Sequence, residues 1–122
     1  MISRLVLAAV FGGVLLSAAQ AGEADVVGVE AVPDGGGKWR FHVTVRHGDT
    51  GWDHYADKWD VVAPDGRVLG TRVLAHPHEN EQPFTRSLGG VAIPEEVLEV
   101  TLRAHDSVHG YGGQEAVVTL PR

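Results

Sequence analysis

The run His76-Pro77-His78-Glu79-Asn80-Glu81-Gln82-Pro83-Phe84 places two imidazoles, two carboxylates and two amides within nine residues. Its two prolines bar it from a helix interior or a central strand, so it reads as a loop with its polar side chains available. The stretches His47-Gly48-Asp49-Thr50-Gly51-Trp52-Asp53-His54 and His105-Asp106-Ser107-Val108-His109-Gly110-Tyr111-Gly112-Gly113 have the same character. Together the three hold six of the seven histidines. Imidazole is the commonest protein metal ligand, and a tetrahedral site needs three or four donors at about 2.0–2.2 Å. His76 and His78 stand two apart, so in extended chain both project to one side and a single ion could take both. They and His109 are the leading candidate ligands, with His47, His54 and His105 completing the pool. Asp53, Asp57, Glu79 and Asp106 are candidates to orient an imidazole from behind or to supply an oxygen. Without cysteine, and with Met1 as the one methionine, soft sites for Cu(I) are disfavoured and Zn(II), Cu(II) or Ni(II) fits the donors.

Other chemistries use the same loops. Taken singly, a loop histidine is more often solvated, or bonded to a buried backbone group, than a ligand; the clustering is what points to an ion. No spacing here matches the helical His-Glu-x-x-His motif of zinc proteases. A calcium loop at Asp49, Asp53 and Asp57 would need a denser oxygen ladder than Asp49-Thr50-Gly51-Trp52-Asp53 provides. A binding module is the second class: Trp52, Tyr55 and Tyr111 could grip a glycan, a peptide or a partner protein, although Trp52 and Tyr55 also read as caps on the core. Gly110, Gly112 and Gly113 would let the last loop turn around Tyr111. Catalysis has the least support. Ser87 is mid-strand and Ser107 lies between histidines only in sequence, which leaves a metal-activated water with Glu79 or Asp106 as base. Six histidines at one pole would also gain charge as pH falls through about 6.5.

The elements that must position these loops are strands. Short runs with two-residue alternation, separated by Gly, Pro and Asp, predict an all-β chain with strands over 24–32, 38–46, 55–63, 67–74, 84–93, 97–104 and 114–120. Over 38–46, Trp39, Phe41, Val43 and Val45 share one face, leaving His42 toward solvent. Trp59 and Val61 mark the core side of the third strand, with Asp57 as the odd member of that face. Leu98, Val100, Leu102 and Ala104 face inward on the sixth. Ala63-Pro64-Asp65-Gly66 is a tight turn, and Gly89-Gly90 signals a bulge. If every consecutive pair of strands is antiparallel, connections alternate between two ends, and the three histidine loops share one of them. That convergence requires a real strand over 67–74.

Seven short strands, Trp59 on the third, and a sixth strand entering a glycine-rich loop before a short last one resemble the immunoglobulin-like and fibronectin type III superfamily. The resemblance spans residues 22–122 and implies a seven-strand antiparallel sandwich without the antibody disulfide. It implies no activity.

Residues 1–21 read as a secretory leader. Arg4 precedes the apolar run Leu5 to Leu16, and small residues stand at Ala19 and Ala21. The apolar run is short for a membrane span. Cleavage after Ala21 would leave one domain of 101 residues, periplasmic or secreted, with its charge falling from −6 to −7 as Arg4 departs. That acidity argues against a nucleic-acid partner and against docking on an anionic membrane. A small exported domain without disulfides must be held by packing, helped by an ion if one binds. Intact-mass measurement of the exported protein should give a chain starting at Gly22; a membrane-bound species retaining residues 1–21 would refute the leader.

Overall fold

In the computed structural model, which describes residues 14–16 and 22–122, eight strands form two antiparallel sheets, with no helix among the described residues. They are β1 (Val14–Leu16), β2 (Asp25–Gly35), β3 (Lys38–Arg46), β4 (Ala56–Val62), β5 (Val68–Val73), β6 (Phe84–Ala92), β7 (Glu99–Asp106) and β8 (Ala116–Thr119). One sheet runs β2-β3-β6 and the other β1-β8-β7-β4-β5. The leader, apart from β1 on the edge of β8, lies outside the described residues, and so does its cleavage site.

The two-residue period sets the core. Trp39, Phe41, Val43 and Val45 of β3 are buried, and facing them from the other sheet are Trp59 and Val61, then Val100, Leu102 and Ala104, then Ala116 and Val118. β2 and β3 are joined by Gly36-Gly37, both at positive φ (63° and 77°), the pairing that a two-residue hairpin turn matched to strand twist demands. The Pro64 turn closes with Gly66 N–H donating to the Ala63 carbonyl at 2.9 Å. The interruption at Gly89-Gly90 is a bulge: Trp39 faces Val91 and Phe41 faces Leu88, so β6 carries one residue more than β3 between the pairs.

Two expectations about faces need correction. Leu98 is 62% exposed, because β7 starts at Glu99 and its inward series begins only at Val100. Asp57 does not share the Trp59 face. The register slips there, with Ala56 opposite Asp106 but Lys58 opposite His105. The extra residue shifts the phase, so Ala56 and Trp59 are buried while the Asp57 carboxylate leaves the core.

The expected strand over 67–74 exists as β5, so the three histidine loops do share an end. The bonds between them show it: His47 N–H donates to Gln82 Oε1 at 2.9 Å, His78 N–H to Asp49 Oδ2 at 2.6 Å, and Tyr55 N–H to Ser107 Oγ at 3.0 Å. Trp59 is fully buried at the centre of the core, and Trp59→Ala should cost about 3–5 kcal/mol of unfolding free energy by denaturant titration. An unchanged midpoint would remove it as a core anchor.

Candidate functional site

The alternation of β3 does not stop where the strand does. His47 is the next inward position after Val43 and Val45, and it is 3% exposed. The inward series of β7, Val100, Leu102 and Ala104, likewise ends on Asp106, which is fully buried. The last layer of the core at this end is therefore polar, with an imidazole delivered by one sheet and a carboxylate by the other.

Three imidazole nitrogens converge on a single oxygen of that carboxylate. Asp106 Oδ2 lies 2.5 Å from His47 Nε2, 2.7 Å from His54 Nε2 and 3.3 Å from His109 Nδ1. The rings of His47 and His54 meet edge to face at 4.7 Å, and those of His54 and His109 at 4.9 Å. The other oxygen, Oδ1, accepts the backbone N–H groups of Val108 and His109 at 2.6 and 3.0 Å, which fixes the carboxylate against its own turn. Burial opposes ionisation of Asp106, but those backbone donors and the imidazoles of His109 and His47 outweigh it and hold the carboxyl well below its ordinary value. Donor atoms of His47, His54 and Asp106 all lie within 4.8 Å of one another, close enough to surround one ion.

Behind His47 stands Asp49. His47 Nδ1 meets Asp49 Oδ1, which also accepts Ala56 N–H at 3.2 Å, while Asp49 Oδ2 takes the His78 N–H. This is the arrangement in which a carboxylate holds a ligating histidine by its far nitrogen and aims the near one at a metal. Gln82 secures the same wall, accepting from His47 N–H and donating to the His78 carbonyl at 2.8 Å. Asp49 and Gln82 were absent from the expected site. Asp49 continues the inward series of His47 and is 8% exposed, a signal that extending the β3 alternation by two more steps would have found.

The remaining candidates sit elsewhere. His78 is buried but stacks flat on Phe84, 4.0 Å between centroids, and its Nδ1 has no hydrogen-bond partner. Burial, followed by the nearby Arg86 and His76 charges, pushes its imidazole below the ordinary value. His76 is exposed, and its Nδ1 is 3.0 Å from the Pro77 carbonyl. His76 and His78 are neighbours, with rings 4.7 Å apart, but they lie outside the group around Asp106. Asp106, expected either to orient an imidazole from behind or to supply an oxygen, is at the centre. Asp53 and Glu79 are exposed at the rim.

His105 belongs to a second polar network on the outer face of the five-stranded sheet. Its Nδ1 lies 2.6 Å from Asp57 Oδ1. Beside it the Tyr111 hydroxyl donates to Asp60 Oδ2 at 2.5 Å, under the Arg103 guanidinium 4.0 Å from the ring. That bond engages the polar end of Tyr111, whereas Trp52 is 67% exposed and meets Tyr55 edge to face at 5.5 Å. Burial raises the Asp60 carboxyl, but hydrogen bonds from Tyr111, Thr71 and Arg103 more than offset it and leave it below 3.8. A depressed carboxyl stabilises the fold above its unfolded value and loses that contribution as pH falls through the folded value. The thermal stability advantage of the parent over Asp60→Asn should therefore be full at pH 6 and shrink below about pH 4; an advantage independent of pH would disprove the ionic role.

No protein-family model matches the chain, and no solved structure matches it. A protein of Halomicrobium mukohataei named "Putative lipoprotein" is 47% identical over 96 residues, which are 79% of this chain. The chain spans about half the length of that relative, 47%.

Proposed function

We propose that this chain is an exported β-sandwich protein that holds one divalent transition ion through His47, His54 and Asp106, with His109 as the fourth donor and Asp49 fixing His47. The observation that carries the reading is the convergence of three imidazole nitrogens on the buried Asp106 Oδ2. Two carboxylates whose side chains are wholly buried, Asp49 and Asp106, flank the His47 ring there, and among the described residues their ion-pair partners are all histidines. Buried anions require compensating charge. His47 faces a carboxylate with each ring nitrogen, so it must either carry both protons or give one nitrogen to a cation. A divalent ion among the four donors neutralises both carboxylates and leaves every imidazole with one proton. Nitrogen and carboxylate donors without sulfur favour Zn(II), Cu(II) or Ni(II).

Export is supported by the leader-like residues 1–21 and by the lipoprotein name of the relative. An immunoglobulin-like scaffold is supported by the pairing order, in which β2-β3-β6 and β8-β7-β4-β5 follow the A-B-E and G-F-C-C′ arrangement of such sandwiches. A second reading makes the same pole a docking surface for a protein or small ligand, favoured by the exposure of Trp52 beside Tyr55.

Calorimetry of tag-free protein should show one Zn(II), Cu(II) or Ni(II) bound with a dissociation constant below about 10 μM. The ion should raise the melting temperature with its concentration and bind more weakly as protons compete for imidazole. His54→Ala and His109→Ala should each weaken binding at least about tenfold, while His76→Ala and His105→Ala should leave it unchanged. No binding at that level, or loss only in the His76 and His105 variants, would overturn the site and favour the docking surface.

A further inference from the structure

The turn after β7 grips both faces of the sheet that it leaves. Asp106 and Gly110 exchange backbone hydrogen bonds, each 2.9 Å, so residues 107–109 loop out and return beside the end of the strand. Gly110 makes that return at a φ of +73°. On the inner face His109 Nδ1 reaches Asp106 Oδ2, and on the outer face the Tyr111 hydroxyl donates to Asp60 Oδ2 at 2.5 Å. Past Tyr111 the chain is fixed again. A Cβ on Gly113 would stand 1.9 Å from the Ala24 carbonyl oxygen, and Gln114 N–H donates to Asp25 Oδ1 at 2.7 Å.

The two grips are unequal. The His109 contact, at 3.3 Å, is the longest of the three imidazole contacts to Asp106 Oδ2. Its side chain is also the most open of the four donors, 41% exposed against 26% for His54 and 1% for His47. Tyr111, in contrast, ends on a buried carboxylate that Thr71 Oγ1 of β5 holds at 2.7 Å and Arg103 Nε of β7 at 3.2 Å. The Arg103 guanidinium lies over the Tyr111 ring, and His105 meets that ring edge to face at 4.8 Å. The outer anchor is the firm one, and His109 stands two residues from it.

We propose that Tyr111 is a positioning residue for the ion site: its bond to Asp60 latches the turn so that His109 stands ready as the fourth donor before an ion arrives. The inference rests on the metal reading of His47, His54, Asp106 and His109. A donor on a loose turn must be ordered when the ion binds, and that ordering subtracts from affinity. A turn latched during folding spares the binding step this cost. The outer network thereby sets the affinity of the inner site without touching the ion, and the Gly110 peptide links the two.

Calorimetry with Zn(II) on the tag-free full chain tests the latch. Tyr111→Phe keeps the ring on Arg103 and removes the bond to Asp60. It should weaken Zn(II) binding by about threefold to thirtyfold. That loss should disappear in a His109→Ala background, where the turn no longer carries a donor. Thr71→Val takes a different hydrogen bond from the same carboxylate, and should lower the melting temperature while leaving the Zn(II) affinity at the parent value. An unchanged affinity in Tyr111→Phe would overturn the latch and leave the histidine site standing. A loss that persists in the His109→Ala background, or an equal loss in Thr71→Val, would overturn it too, since either shows general loosening and no positioning of His109. Absence of Zn(II) binding in the parent removes the metal reading along with the inference.

Discussion

The Asp106 carboxylate is the interaction on which this end of the molecule depends. A fully buried anion is tolerated only where donors and opposite charge replace its water, and here they come from all sides. Its own turn supplies two backbone N–H groups, the 47–54 loop supplies two imidazoles, and His109 supplies a third. Because His47 leaves the three-stranded sheet and Asp106 ends a central strand of the other, the contact also closes the sandwich. The apolar layers give way to a polar one, and that layer is the candidate site.

The same strand that delivers Asp106 inward delivers His105 outward, since neighbouring strand residues face opposite sides. One histidine loop thus feeds two separate networks. The outer one is complete within the protein: His105 pairs with Asp57, and Asp60 is bonded to Tyr111, Thr71 and Arg103. The inner one leaves two buried carboxylates among histidines, which is the chemistry an ion answers. Clustering of histidines in the sequence does not distinguish these cases; the direction of each side chain does.

Asp49 and Gln82 show how the loops hold the site. Asp49 joins His47, His78 and Ala56, and Gln82 joins His47 to the His78 carbonyl. The 76–83 loop, richest in candidate ligands, thereby serves as a wall. His78 spends its ring on Phe84 and its backbone on Asp49, which is why this pair of imidazoles lies apart from the group around Asp106.

Much of this was legible in the chain itself. Period-two alternation gave the strands and core faces, and strand parity brought the three loops to one end. Carried one or two steps past the strand ends, the same alternation would have named His47, Asp49 and Asp106 as inward. The sequence could not show the bulge at Asp57, which moves that carboxylate off the Trp59 face by one extra residue. Nor could it show that His76 and His78 lie outside the group around Asp106, or that Gly113 makes room for the Ala24 backbone. A sequence carries the face of each residue along its own strand. Distances between residues on different strands depend on register, bulges and the packing of two sheets, which only the tertiary structure decides.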